Sequence, residues 1–130
     1  MKQHEQAILL FKKGCEDEAL VEEVLSSRRV SDEIVGFHCQ QAAEKFLKAV
    51  LSEVGAHFQR THNLRQLMDL LSDAGHSLPD ELHDVDTLTP FGTTFRYDVL
   101  PAVSSLDRRA ARDMIRQLRI WAQQQVPHDE

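Results

Sequence analysis

Arg108, Arg109, Arg112, Arg116 and Arg119 fall within about 100° of one another when the end of the chain is drawn as a helix. Guanidinium groups gathered on one flank can receive phosphate or carboxylate oxygens in forked pairs. The flank is therefore a candidate anion site, and the competing reading pairs it with acidic groups of the first or fourth helix. A second set is dispersed: His62, and further along Arg96 with Tyr97. Histidine and arginine together can support general acid-base and electrostatic catalysis on phosphodiesters. Each also has a structural reading, His62 in the first turn of a helix and Tyr97 in the core. A third set lies on the back of one helix, where Ile34, Phe37, Gln41, Glu44, Lys45 and Lys48 mix large apolar groups with amides and amines. Such a face suits contact with a second subunit or a ligand. The plainer account makes Glu44 and Lys48 an i,i+4 surface pair, with Phe37 exposed beside them.

Other chemistry finds little support. The seven histidines contain no His-x-x-x-His pair, so no helical metal site is expected. No Gly-x-Ser-x-Gly, glycine-rich phosphate loop or dinucleotide fingerprint is present. No cofactor is expected. Cys15 and Cys39 lack Cys-x-x-Cys spacing and fall on apolar helix faces, where a free thiol acts as a small hydrophobe.

A chain of 130 residues predicts one domain with a modest core. No apolar run approaches the roughly 18 residues of a membrane span, and Met1 to Glu5 does not begin a secretory signal. A cytoplasmic location and no membrane partner are expected. The net charge of −6 argues against indiscriminate coating of nucleic acid. Its distribution is uneven, with acids concentrated between Asp69 and Asp98 and a basic last helix.

Few glycines, few aromatics and long Ala, Leu, Glu, Lys, Arg and Gln stretches predict helices. The first spans Glu5 to Ser27, with Ile8, Phe11, Cys15 and Ala19 inward. Ser31 caps the second, which carries Val35, Cys39, Ala42, Ala43, Phe46, Leu47, Val50 and Val54 on one apolar arc and stops at Gly55. Thr61 caps a third bearing Leu64, Leu67, Met68 and Leu71, ended by Gly75. A weaker element opens at Pro79-Asp80 with Leu82 and Val85, and Pro90 and Gly92 interrupt or kink it. Thr93 to Leu100 is read as helical again. The last helix starts at Ser104, with Asp107 completing a capping-box spacing, and turns Ala111, Met114, Ile115, Leu118, Trp121 and Ala122 inward. Short connections between such helices predict an all-α, antiparallel four-helix up-and-down bundle with a short additional helix.

The stretch Phe37-His38-Cys39-Gln40-Gln41-Ala42-Ala43-Glu44-Lys45-Phe46-Leu47-Lys48-Ala49, followed by Thr61-His62-Asn63-Leu64 and then Arg96-Tyr97, resembles the HEPN domain (higher eukaryotes and prokaryotes nucleotide-binding). The resemblance covers Glu5 to Ala122. It implies four main helices plus a short one, usually dimeric, and the back face of the second helix, with Ile34 and Phe37, is the expected homodimer contact. It also implies a role as one half of a two-gene module whose other half is a minimal nucleotidyltransferase, some such modules acting as toxin and antitoxin. On this reading Lys45, Lys48, His62 and Arg96 contact a nucleotide or RNA phosphate, and Gln41 and Tyr97 line the site. Catalytic members are metal-independent endoribonucleases that use Arg followed by His at a spacing of four to six residues. Here Tyr97-Asp98-Val99-Leu100-Pro101-Ala102-Val103 follows Arg96 without a histidine. Binding is therefore expected over cleavage. The alternatives are a ribonuclease toxin with a different site, built from Arg96 and His62, and a ligand-free interaction scaffold.

Overall fold

Helix α1 (Lys2–Val24) turns Ala7, Phe11, Gly14, Glu18 and Val21 inward. Their alternating four-three spacing keeps one stripe against neighbouring helices. The computed structural model describes residues 2–93 and 106–127, and all the regular structure among them is helical, in agreement with the all-α expectation. Helix α1 begins and ends earlier than expected, and Ala19 is exposed rather than inward.

Ser31, extended in its backbone, caps α2 (Asp32–Glu53) by accepting the Ile34 amide at 3.3 Å. Gly55, at φ +74°, follows its end, in a left-handed conformation that glycine adopts without a Cβ penalty. The predicted arc is buried from Val35 to Val50, and Val54 is half-buried. Helix α2 is central: it packs against α1 and all the later helices. It runs antiparallel to α1, with His4 on Glu53 at 2.7 Å at one end and His38 on Asp17 at 3.1 Å midway. A Cβ on Gly14 would stand 2.7 Å from the Phe46 ring, so glycine permits this approach.

Helix α3 (Leu64–Asp73) buries Leu64, Leu67, Met68 and Leu71 as their spacing predicts. Its cap is Asn63, which accepts the Gln66 amide at 3.2 Å, and not Thr61. The Thr61 hydroxyl sits two residues earlier, accepting the Asn63 amide at 3.1 Å and donating to Gln66 Oε1 at 2.8 Å. Next, a 3-10 helix (Asp80–Leu88) runs directly into α4 (Thr89–Thr93). Leu82, Val85, Leu88 and Phe91 are buried at every third residue, the period of a helix with three residues per turn. Pro90 and Gly92 do not interrupt this element, because both lie inside α4. Proline fits a first turn, where its absent N–H would have no partner.

Asp107 is the N-cap of α5 (Arg108–Gln125), its carboxylate accepting the Ala110 amide at 3.0 Å. The helix thus starts later than the Ser104 expectation, and Asp107 is the cap itself rather than the cap's partner. Ser104 and the expected helix over residues 94–100 lie outside the described residues. Ala111, Ile115, Leu118 and Ala122 are buried, with Met114 and Trp121 half-buried. Contacts from Arg119 to Glu18 and from Arg108 to the Val24 carbonyl make α5 antiparallel to α1. Among the described residues, no helix is long and apolar enough to cross a membrane.

Candidate functional site

Gln40, Glu44 and Lys48 are spaced four apart on α2, and each step of four drifts about 40° around a helix. The stripe therefore starts at the edge of the core and ends near solvent. Gln40 is fully buried, Glu44 is 6% exposed and the Lys48 side chain 14%. The expected solvent position of Glu44 is corrected by this geometry: the segment before α3 folds back over it and brings His62 to its carboxylate.

Glu44 is a hub. Its Oε1 accepts from His62 Nδ1 at 2.9 Å and from Gln40 Nε2 at 2.9 Å, and its Oε2 accepts from Lys48 Nζ at 2.8 Å. Gln40 Nε2 also donates to the His62 carbonyl at 3.0 Å, and Gln40 Oε1 accepts from Gln41 Nε2 at 2.8 Å. The Gln40 amide thus satisfies both donor hydrogens and its acceptor in the interior. Gly92 of α4 makes room for it, since a Cβ there would lie 2.3 Å from Gln40 Cδ. Burial pushes the Glu44 carboxyl up, but the hydrogen bonds from Lys48, Gln40 and His62 outweigh it and hold the group below its ordinary value. Because an ionised carboxylate only accepts, His62 must carry a proton on Nδ1. The His62 side chain is 54% exposed, and Nε2 has no hydrogen-bond partner among the described residues. Lys48 Nζ also stands 5.9 Å from the centroid of the Phe58 ring.

Of the residues singled out from the sequence, Gln41, Lys48 and His62 meet at this hub. Lys45 does not: it turns to Asp17 of α1, whose carboxylate it shares with His38. Arg96 and Tyr97 lie outside the described residues. Ile34 is 40% exposed, and Phe37 is half-buried with its ring against His38, centroids 5.2 Å apart. Gln40 is a site residue that the sequence reading lacks, and Glu44 enters that reading only as part of the mixed back face and as the i,i+4 partner of Lys48, a pair that forms at 2.8 Å. The four-residue stripe that carries them was visible in the sequence, but the loop that buries them was not.

The arginine flank is largely engaged within the chain. Arg108 donates to the Asp32 carboxylate at 2.7 Å and to the carbonyls of Val24, Leu25, Ser27 and Val30. Arg112 and Arg116 share Glu22 at 3.1 and 2.8 Å, Arg112 also meets Asp113 at 2.7 Å, and Arg119 meets Glu18 at 2.7 Å. These partners come from α1, α2 and α5 itself, not from the acidic stretch after Asp69. Arg109 is exposed and has no ion pair among the described residues. Cys15 and Cys39 are free, and burial pushes the Cys39 thiol up to about 12. No group of three potential metal ligands occurs among the described residues.

The family model for the HEPN domain matches residues 9–121, a span that runs from the third turn of α1 to the penultimate turn of α5. Neither the curated proteins nor the solved structures yield a match.

Proposed function

The chain belongs to the HEPN domain family, whose role is nucleotide- or RNA-related, and from that premise we propose that it binds a nucleotide or an RNA phosphate at the rim of the Glu44 hub. The observation that carries this reading is the state of His62, anchored through Nδ1 to a buried carboxylate while half of its side chain faces solvent. Glu44 and Lys48 cancel one another in charge, and with Nδ1 held by Glu44 the ring edge that carries Nε2 is left for a ligand at the rim. Arg96, four residues after the Gly92 that lies against Gln40, is the proposed second phosphate contact. Gln41 and Tyr97 complete the lining. Lys45 is left out because Asp17 holds it, and four arginines of the α5 flank are left out because their carboxylate partners are in the same chain.

Calorimetric titration of wild type and His62→Gln with a nucleoside monophosphate tests the site. Binding should weaken in His62→Gln, which keeps an amide donor for Glu44 but withdraws the imidazole from the rim. Binding unaffected by the change would reject the rim as the site.

One observation favours a second reading. A carboxylate orienting an imidazole whose other nitrogen is open is also an acid-base arrangement, which serves the endoribonuclease alternative. RNA incubated with the protein and a chelator should remain intact, because no histidine follows Arg96 at the family's catalytic spacing. Cleavage abolished by His62→Gln and by Arg96→Ala would transfer the assignment to the enzyme.

We further propose a homodimer that uses Ile34 and the adjoining Phe37 on the back of α2, a large apolar pair beside polar groups. Docking of a minimal nucleotidyltransferase, as in a toxin-antitoxin module, belongs to the same proposal. Co-expression with a nucleotidyltransferase encoded beside this chain should then yield a stable complex.

A further inference from the structure

A groove of about 460 Å³ opens beside the hub, within the roughly 300–1,000 Å³ range of small-molecule sites. Its two walls differ in chemistry. One comes from the segment between α2 and α3 and carries His57, Phe58 and Thr61. The other is one face of α3, where Gln66, Asp69 and Asp73 follow helical spacing. The Thr61 hydroxyl reaches across to Gln66 Oε1 at 2.8 Å and ties the walls together. Thr61 of the groove directly precedes His62 in the chain, and Lys48 of the hub stands 5.9 Å from the ring of Phe58, so the groove and the rim are neighbours on the segment between α2 and α3.

Charge decides what such a groove admits. Asp69 and Asp73 are both exposed, and among the described residues the cation paired with Asp69 is a distant one, Arg65 at 3.9 Å. Arg65 itself is held more closely by Asp86, at 2.7 Å. Two carboxylates on one wall repel a phosphate and accept N–H donors. Phe58, half-buried against the core and with Lys48 near its ring, lines the groove, and aromatic side chains stack bases of any sequence. The walls therefore fit a flat ring that presents N–H groups on its edge, with any attached phosphate directed away from α3 and toward His62.

We propose that this groove holds the base of a nucleotide, selecting bases with an exocyclic amine, while the phosphate occupies the His62 rim. This inference rests on the proposed phosphate site and adds the identity of the group beside it. Phe58 supplies the stacking surface and Asp69 and Asp73 receive the amine. Hypoxanthine, which carries a carbonyl oxygen where adenine has its amine and lacks the guanine amine altogether, is disfavoured.

The test compares AMP, GMP, IMP and ribose 5-phosphate by calorimetry on the intact protein, with the His62 imidazole followed by NMR. AMP and GMP should each bind about tenfold tighter than IMP, the discrimination of one well-placed polar contact pair. Asp69→Ala with Asp73→Ala, both exposed changes that remove the acceptor oxygens and leave the core untouched, should erase the preference. Phe58→Leu keeps apolar packing and should weaken AMP and GMP toward the affinity of ribose 5-phosphate. Equal binding of AMP, GMP and IMP, with ribose 5-phosphate still shifting His62, would overturn the groove while sparing the phosphate site. Amine-dependent binding that survives His62→Gln unchanged would spare the groove and overturn the phosphate site. Absence of binding by all four compounds would overturn both.

Discussion

Burial alone would raise both Glu18 and Glu44, yet their neighbours send them in opposite directions. Glu18 is 7% exposed, burial raises its carboxyl, and Arg119 offsets this only in part. Glu44 is equally buried but accepts from three side chains, and there the donors win. The pH consequences are opposite in sign. The stability contributed by Glu44 is present above its ordinary value of 4.5 and fades as pH falls through its depressed folded value. For Glu18 the contribution is present below 4.5 and is lost as pH rises through its elevated folded value. Glu44→Gln should therefore cost about 1–3 kcal/mol at neutral pH, with the gap to wild type closing in acid. Glu18→Gln should leave neutral stability within about 1 kcal/mol of wild type and flatten its decline above pH 4.5. Denaturant titrations at a series of pH values measure both. A gap for Glu44→Gln that widens in acid would contradict the hub as described.

Helices here are joined at points where one small or one branched polar residue decides the fit. Gly92 and Gly36 are such points in the α2–α4 contact, since a Cβ would fall 2.3 Å from Gln40 and 2.3 Å from the Phe91 ring, respectively. An exposed glycine-to-alanine change in a helix is worth up to about 1 kcal/mol of added stability. At Gly92 the clash should reverse that sign, because overpacking costs about 1–3 kcal/mol and Gln40 would leave Glu44. A melting temperature raised by Gly92→Ala would show that the contact is looser than this. Arg108 is the corresponding polar joint. Its guanidinium links the start of α5 to Asp32 of α2 and to the carbonyls that follow α1. Lysine has the charge without the fork, so Arg108→Lys should lose about 2–3 kcal/mol, read by chemical denaturation.

At the scale of the molecule, surface chemistry separates pairing within the chain from pairing with others. Changing Arg112 and Arg116 to Gln removes partners of Glu22, so the melting temperature should fall. The slope of log affinity for RNA against log salt should stay unchanged, since groups already paired release few counterions. A shallower slope would return the flank to the binding surface. Ile34 is one of four large hydrophobic residues exposed among the described residues, and it lies on the central helix. If α2 meets a second copy, Ile34→Glu should convert a dimer to a monomer in light scattering at micromolar concentration. A wild type that is already monomeric would remove the proposed interface.

Periodicity made much of this molecule legible in advance. The α2 arc, the Leu64–Leu67–Met68–Leu71 stripe and the stops at Gly55 and Gly75 follow from local geometry, which any window of sequence carries. The three-residue spacing of Leu82, Val85 and Leu88 is that of a 3-10 helix, where Leu82 and Val85 alone predict only a weaker element. Caps were less secure, because Thr61 and Asn63, or Ser104 and Asp107, are chemically equivalent candidates until the backbone selects one. The site depended on the tertiary structure. His62 is 18 residues from Glu44 in the chain, and a carboxylate on the margin of an apolar arc is surface or interior according to what folds over it. The arginine flank shows the same dependence: its spacing was visible in the sequence, but carboxylates up to 101 residues away on α1 settled its pairing. Helical period is a local property, whereas burial and charge pairing are set by which distant segment comes to lie alongside.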